Sequence, residues 1–216
     1  AMCVALAATA QAQQAQDPVA SSLAARPISP KVPFALAFSP GGDRLAIGTG
    51  DGRLIVWSPS TDAEVVVKAH DNWTFAVKWF RGGTRLLSAG GDNLIHIRDA
   101  ESLAPLGSLE GHAEDVHAIG LSPDEKILYS AGDDRMLMAW DLEQLRPLYA
   151  VEAHDEQIPA LAVSPDGKLI ATGSRDDTVK LWNAADGRLL HTFEGHFNDV
   201  LDLSFSPDGR LLASAS

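Results

Sequence analysis

Seven histidines are the residues of this chain best suited to chemistry, because imidazole can bind metal ions and transfer protons. Four of them recur at a constant spacing of 42 residues, namely His70, His112, His154 and His196. A metal site needs ligands that converge on one point, whereas residues at one position of a repeat lie on successive repeat units. The spacing therefore predicts a structural role for these four and no metal site, so chelators are expected to leave the melting temperature unchanged.

The remaining polar residues also give no sign of an active site. His96, His117 and His191 lie outside the regular spacing, and no carboxylate or thiol motif accompanies them, which predicts solvated or strand-edge positions. The chain has no GxSxG or HExxH motif and no phosphate-binding glycine loop before a helix. Its one cysteine, Cys3, cannot form a disulfide, a thiolate metal site or a CxxCH haem attachment. The chain is therefore predicted to be neither an enzyme nor a cofactor protein.

An internal repeat organises the chain from Phe34 onward. An apolar residue followed by a turn, most often Ser-Pro-Asp-Gly, recurs in steps of 41, 42, 42 and 42 residues. The apolar positions are Phe38, Trp79, Leu121, Val163 and Phe205. Each copy divides into four short strands, predicted in the fourth copy at Ala160–Val163, Leu169–Ser174, Thr178–Trp182 and Leu189–Phe193. A four-stranded unit of about 40 to 45 residues is a propeller blade.

Dipeptides in register with these turns resemble the signatures of the WD-repeat family over residues 34–216. They are Gly111-His112, Gly195-His196 and Trp140-Asp141, with weaker forms such as Trp182-Asn183. The resemblance implies an all-β fold, a partial WD-repeat β-propeller with four blades and the start of a fifth, from a seven-bladed ring. A complete ring needs about 294 residues, so a truncated sequence is expected, with a half-ring closed by self-association as the rival.

The resemblance also implies hydrogen-bonded chains within the blades, each linking a loop His, a Ser or Thr, a turn Asp and a Trp. Complete sets stand at His112, Ser130, Asp134 and Trp140, and at His154, Thr172, Asp176 and Trp182. The second blade has His70, Ser88 and Asp92 but Arg98 where the Trp belongs, and the first has Ile47 at the hydroxyl position. We expect these two blades to be less rigid than the others.

In similar propellers, the loops that carry the histidines form a rim that receives proteins and peptides. The candidate contact residues here are Asp71, Asn72, Trp73, Glu114, Asp115, Glu156, Gln157 and Asn198. Because most of them are acids or amides, a basic protein or peptide is the expected partner. Trp73 is the expected anchor, with packing against the linker or the adjacent blade as the alternative. The predicted function is a non-enzymatic interaction scaffold, and the alternative is the propeller domain of a larger extracytoplasmic enzyme or haem protein, with its chemistry beyond residue 216.

Charge and the N-terminal residues bear on partners and location. The formal net charge of −12 disfavours nucleic acid and anionic membrane surfaces as partners. Residues 1–10 resemble the back half of a secretory signal, so residues 1–30 are predicted to be a signal-peptide remnant and a Pro-containing linker, and residues 31–216 the propeller. A bacterial-type exported protein, periplasmic or extracellular, is expected. If residues 1–30 are only a disordered arm, the protein is cytoplasmic.

Overall fold

The computed structural model describes residues 32–216, and every regular element in that part is a β-strand. The signal-peptide remnant and linker predicted for residues 1–30 lie outside the described residues. The described residues contain no helix whose length and hydropathy suit a bilayer crossing.

Four antiparallel sheets, which we call blades 1 to 4, each contain four strands that neighbour one another in chain order. Blade 1 consists of β1 (Pro33–Phe38), β2 (Leu45–Thr49), β3 (Arg53–Ser58) and β4 (Ala63–Lys68). Blade 2 consists of β5 (Thr74–Phe80), β6 (Arg85–Gly90), β7 (Ile95–Asp99) and β8 (Pro105–Leu109). Blade 3 consists of β9 (Val116–Leu121), β10 (Ile127–Gly132), β11 (Met136–Asp141) and β12 (Arg146–Glu152). Blade 4 consists of β13 (Ala160–Val163), β14 (Leu169–Gly173), β15 (Val179–Asn183) and β16 (Leu189–Phe193).

A fifth sheet contains the two strands β17 (Asp202–Phe205) and β18 (Leu212–Ala215). The prediction of four blades and the start of a fifth is confirmed. In the fourth copy, three strand boundaries differ by one residue from the prediction, since β14 ends at Gly173 and β15 runs from Val179 to Asn183. The closed seven-bladed ring stays a prediction.

The hydrophobic core is divided among the interfaces between neighbouring blades. Phe80 and Ile95 of blade 2, for example, pack with Leu128 and Trp140 of blade 3 in one buried cluster. Equivalent clusters join blades 1 and 2, blades 3 and 4, and blade 4 and the fifth sheet. Because side chains alternate between the two faces of a strand, a central blade must be covered on both sides by its neighbours.

A tight turn between the second and third strands of each blade places an aspartate at a fixed point. The residue after that aspartate has a positive φ, a conformation that Gly, Asn and Asp adopt more readily than other residues. The four residues are Gly52 (φ 77°), Asn93 (66°), Arg135 (64°) and Asp177 (65°). Asp51, Asp92, Asp134 and Asp176 precede them, so the same turn presents a carboxylate in every blade.

Polar contacts join blades 1 and 2 in addition to the apolar packing. The indole Nε1 of Trp79 donates a hydrogen bond to the carbonyl of Ala37 at 2.8 Å. The guanidinium of Arg44 lies 4.7 Å from the centre of the Trp79 ring. It also donates to the carbonyls of Gly83 at 2.8 Å and Ala100 at 3.2 Å. We call these contacts the blade 1–2 clamp.

Candidate functional site

Blade 3 contains a continuous hydrogen-bonded chain of four side chains. Trp140 Nε1 donates to Ser130 Oγ at 2.7 Å, and that oxygen lies 2.7 Å from His112 Nε2. At the other side of the ring, His112 Nδ1 lies 2.8 Å from the Asp134 carboxylate. Because the carboxylate only accepts, Nδ1 carries the imidazole proton, and Ser130 donates its own hydrogen to Nε2. The Asp134 carboxylate therefore sets the direction of the bonds and fixes the tautomer of His112, and the indole adds a second partner that holds the Ser130 hydroxyl in place.

Blade 4 repeats this arrangement. Trp182 Nε1 donates to Thr172 Oγ1 at 2.8 Å, Thr172 Oγ1 lies 2.7 Å from His154 Nε2, and His154 Nδ1 lies 2.8 Å from Asp176. Burial lowers the pKa of His154. Burial alone would raise the pKa of Asp176, but hydrogen bonds from Thr178 and His154 hold it below its usual range.

Blade 2 has the histidine, hydroxyl and carboxylate but not the indole. His70 Nε2 lies 2.9 Å from Ser88 Oγ, and His70 Nδ1 lies 2.7 Å from Asp92. Arg98 occupies the position of the Trp, and its Nη1 donates to the carbonyl of Leu103 at 3.1 Å. Within the described residues, no indole donates to Ser88. Asp92 still accepts from His70 Nδ1, so Ser88 donates to His70 Nε2 as in the equivalent bonds of blades 3 and 4, but no indole bond holds the Ser88 hydroxyl.

Blade 1 has separate local hydrogen bonds where blades 3 and 4 have the hydrogen-bonded chain of four side chains. Trp57 Nε1 donates to Asp62 at 3.1 Å, and Thr49 Oγ1 donates to Asp51 at 2.6 Å. In the fifth sheet, His196 Nε2 lies 2.6 Å from Ser214 Oγ.

His96 and His117 were predicted at solvated or strand-edge positions, but their side chains are only 20% and 18% exposed, and each has a carboxylate partner that no sequence motif indicated. His96 Nε2 lies 3.2 Å from Asp92, and His117 Nε2 lies 2.8 Å from Asp133. Both carboxylates come from the turn between the second and third strands, which folds back beside these histidines. The four regularly spaced histidines do lie apart, in the loops before four different sheets, but His96 is not one of them. Ligating atoms of His70, Asp92 and His96 all lie within 4.8 Å of one another, so these residues could hold a metal ion.

The predicted rim residues lie on loops whose backbone is held in place. In three successive blades, the residue three positions after the loop His accepts a backbone hydrogen bond of 2.9–3.0 Å from the turn that follows the second strand. These acceptors are the carbonyls of Trp73, Asp115 and Gln157. The rim side chains that are exposed to solvent are Asp71, Asn72, Trp73, Glu114, Glu156 and Asn198, whereas those of Asp115 and Gln157 are half-buried. The rim therefore presents side chains from a fixed backbone.

An aromatic patch, formed by Phe34, Trp73, Phe75 and His117, crosses the rim ends of blades 1, 2 and 3. Phe75 lies at its centre, with its ring centroid 6.0 Å from Phe34, 5.7 Å from Trp73 and 4.0 Å from His117. Phe34 is 51% exposed and Trp73 is 43% exposed, so the patch faces solvent. Trp73 thus packs against its own and the adjacent blade and remains open to a partner.

The sequence prediction included Trp73 but missed the other three members of the aromatic patch. The signal was present, because Phe34, Phe75 and His117 follow one another at intervals of 41 and 42 residues. They occupy one repeat position near the start of the first strand of each blade.

Carboxylates surround the aromatic patch. Burial and the neighbouring Asp133 carboxylate raise the pKa of Asp115, so negative charge is concentrated beside His117. Asp71 and Glu114 add exposed carboxylates on the flanking loops. The patch combines exposed aromatic faces with an anionic surround, which suits a cationic group.

Radially packed four-stranded blades, tied internally by His, Ser or Thr, Asp and Trp, define a β-propeller of the WD type. The model of the family described as "WD domain, G-beta repeat" matches residues 29–58, 103–141, 145–183 and 187–216, which is more than half of the chain. The chain belongs to this WD40 repeat family, as predicted. The unmatched residues 59–102 include the first three strands of blade 2, the blade in which Arg98 replaces the Trp.

The chain is similar to short parts of longer WD-repeat proteins. WD repeat-containing protein 1 of Mus musculus is 34% identical over 80 residues, which are 33% of this chain and 13% of the mouse protein. Protein HIRA of Dictyostelium discoideum is 27% identical over 120 residues, 44% of this chain and 11% of that protein. Retinoblastoma-binding protein 5 homolog of Drosophila melanogaster is 38% identical over 64 residues, 29% of this chain and 13% of the fly protein. These relatives are eukaryotic, so they do not support the predicted bacterial-type exported subgroup.

Proposed function

We propose that the chain is a protein-interaction domain whose aromatic patch binds a basic segment of a partner protein. The observation that carries this proposal is the exposure of Trp73 and Phe34 on a backbone that the blades hold fixed. Exposed aromatic side chains on a preorganised surface lose little conformational entropy on binding, and aromatic residues are enriched among interface hot spots.

The charge of the surroundings supports a basic partner. A Lys or Arg side chain over the faces of Trp73 and Phe75 would lie close to the carboxylates of Asp115 and Asp133. Burial and repulsion from the Asp133 carboxylate raise the pKa of Asp115, and a cation at this place would relieve that repulsion. The net charge of −12 would speed the approach of a basic partner at low salt.

The relatives are consistent with a binding role. One of them, the Retinoblastoma-binding protein 5 homolog, is named for binding another protein. The relatives' names do not support the alternative of a propeller attached to an extracytoplasmic enzyme or haem protein. Export stays a prediction from residues 1–30.

Fluorescence anisotropy with labelled peptides tests the proposal. We expect a twelve-residue peptide rich in Lys and Arg to bind, and a peptide with Glu at the same positions not to bind. Trp73→Ala should weaken binding about thirtyfold, the ratio that corresponds to a hot spot of about 2 kcal/mol. Leu148→Ala is the matched control, because Leu148 is 44% exposed but lies on the outer strand β12.

Two results would contradict the proposal. The first is equal binding of the basic and acidic peptides at low salt. The second is a Trp73→Ala variant that binds the basic peptide as tightly as the Leu148→Ala variant does.

A further inference from the structure

We propose that His70, Asp92 and His96 form a binding site for a divalent transition-metal ion on blade 2. This inference is independent of peptide binding at the aromatic patch. It follows from the positions of three ligand side chains and from the replacement of the Trp by Arg98.

Three structural elements bring the ligands together. His70 lies in the loop between β4 and β5, Asp92 in the turn between β6 and β7, and His96 on β7. One carboxylate oxygen of Asp92 lies 2.7 Å from His70 Nδ1, and the other lies 3.2 Å from His96 Nε2. The two imidazole rings are 4.8 Å apart between centroids. Small side-chain rotations would direct all three ligand atoms toward one ion.

His96 is particular to blade 2. The same repeat position holds Ile55 in blade 1, Met138 in blade 3 and Lys180 in blade 4. In blades 3 and 4 the loop His and turn Asp therefore have no histidine at this position, whereas in blade 2 they have His96 beside them.

Metal binding at His70 Nδ1 requires the imidazole proton to move to Nε2, because in the metal-free chain Nδ1 donates to Asp92 and Ser88 donates to Nε2. Ser88 must then turn and accept from Nε2. In blade 3, the indole of Trp140 donates to Ser130 and holds that hydroxyl with its hydrogen on His112 Nε2. No indole of the described residues donates to Ser88, so its hydroxyl can turn more readily, and His70 Nδ1 can bind a metal ion.

The ligand set indicates the class of ion. Two imidazole nitrogens and one carboxylate suit zinc, cobalt, nickel or copper, whereas calcium and magnesium prefer oxygen ligands. The side chains of His96 and Asp92 are 20% and 12% exposed, so water can reach the site and complete the coordination. The guanidinium of Arg98 acts electrostatically on both His70 and Asp92 and opposes binding of a second cation.

Titration of the untagged, metal-free chain with Zn²⁺ by calorimetry, and with Co²⁺ by visible absorption, tests the inference. We expect one saturable site, visible bands from bound Co²⁺ and a higher melting temperature with Zn²⁺. His96→Met should weaken binding at least about tenfold and remove the rise in melting temperature. This variant should fold, because Met138 occupies the equivalent position in blade 3. His191→Gln is the control, since His191 is an exposed histidine on the outer strand β16.

Arg98→Trp separates the tautomer argument from simple electrostatics. Removing a cation should strengthen metal binding if charge alone matters. If the new indole donates to Ser88 and hinders its hydroxyl from turning to accept the His70 Nε2 proton, binding should instead weaken about tenfold, although all three ligands are present. The proposal is overturned if the unaltered chain shows no saturable site, or if His96→Met binds as the His191→Gln control does. Unchanged or tighter binding by Arg98→Trp would overturn the role assigned to the His70 tautomer.

Discussion

Replacing the hydroxyl at the centre of the blade 3 chain should destabilise the protein more than the same replacement in blade 2. Ser130 is fully buried and bonds both Trp140 Nε1 and His112 Nε2, each at 2.7 Å. Ser130→Ala therefore leaves two buried nitrogen atoms without a partner. At about 1–3 kcal/mol for each, the expected loss in the free energy of unfolding is about 2–6 kcal/mol.

Ser88→Ala in blade 2 is the matched comparison. Ser88 is also buried, at 1% exposure, but among the described residues its side-chain partner is His70 alone, because Arg98 stands where the indole would be. The expected loss is about 1–3 kcal/mol, since one nitrogen is left without a partner. Both substitutions remove the same oxygen atom from a buried strand, so the difference between them measures the indole bond.

Urea unfolding followed by circular dichroism, with hydrogen exchange to localise the change, measures both variants. Repeat proteins open locally, so we expect increased exchange to be greatest in β10 and β11 for Ser130→Ala and in β6 for Ser88→Ala. If Ser130→Ala costs no more free energy than Ser88→Ala, then the indole does not strengthen the chain, and our account of blade 3 is incorrect.

Two further predictions concern backbone strain and pH. Leu145 has a φ of 51° at a turn position where blade 4 has Gly187, so Leu145→Gly should raise the free energy of unfolding by about 1 kcal/mol; a lower melting temperature would contradict this. Burial depresses the pKa of His70 and His154 in the folded state, so the unfolded chain binds protons first as pH falls below about 6.5. Their contribution is present above that pH and is lost below it, at up to about 1.4 kcal/mol per pH unit for each imidazole. Chemical unfolding at pH 7.5 and pH 5.5 checks the direction, and stability that is equal or greater at pH 5.5 would refute it.

Repetition made much of the fold predictable from the sequence. The apolar turn positions recur in one register, and β13 and β16 have the predicted bounds. Both follow because every blade must bury apolar side chains against its neighbours in the same way. The resemblance to the WD-repeat family also implied the members of the hydrogen-bonded chains in blades 3 and 4, which the structure contains. A residue that departs from the repeat pattern, such as Arg98, could be identified from the sequence. Its hydrogen-bond partners could not be predicted, because no other blade has an arginine at that position.

The contacts between different repeat positions could not be predicted. His96 reaches Asp92 because a turn with a positive φ at Asn93 folds the chain back over four residues, and the repeat spacing contains no information on that approach. Phe75 meets His117 across a blade boundary, at a distance set by how two sheets pack. The sequence thus specifies what each blade contains, whereas the aromatic patch and the possible metal site arise from geometry between elements.

The blade 1–2 clamp has a consequence for protein engineering and for the evolution of such chains. Apolar interfaces between repeats tolerate exchange, because many side chains fill the same space. Arg44, in contrast, donates hydrogen bonds to two backbone carbonyls of the next blade and also contacts the ring of Trp79. A segment in which blade 1 is duplicated or transplanted should therefore include blade 2. Boundaries between exchanged segments are best placed after Leu109, where blade 2 ends.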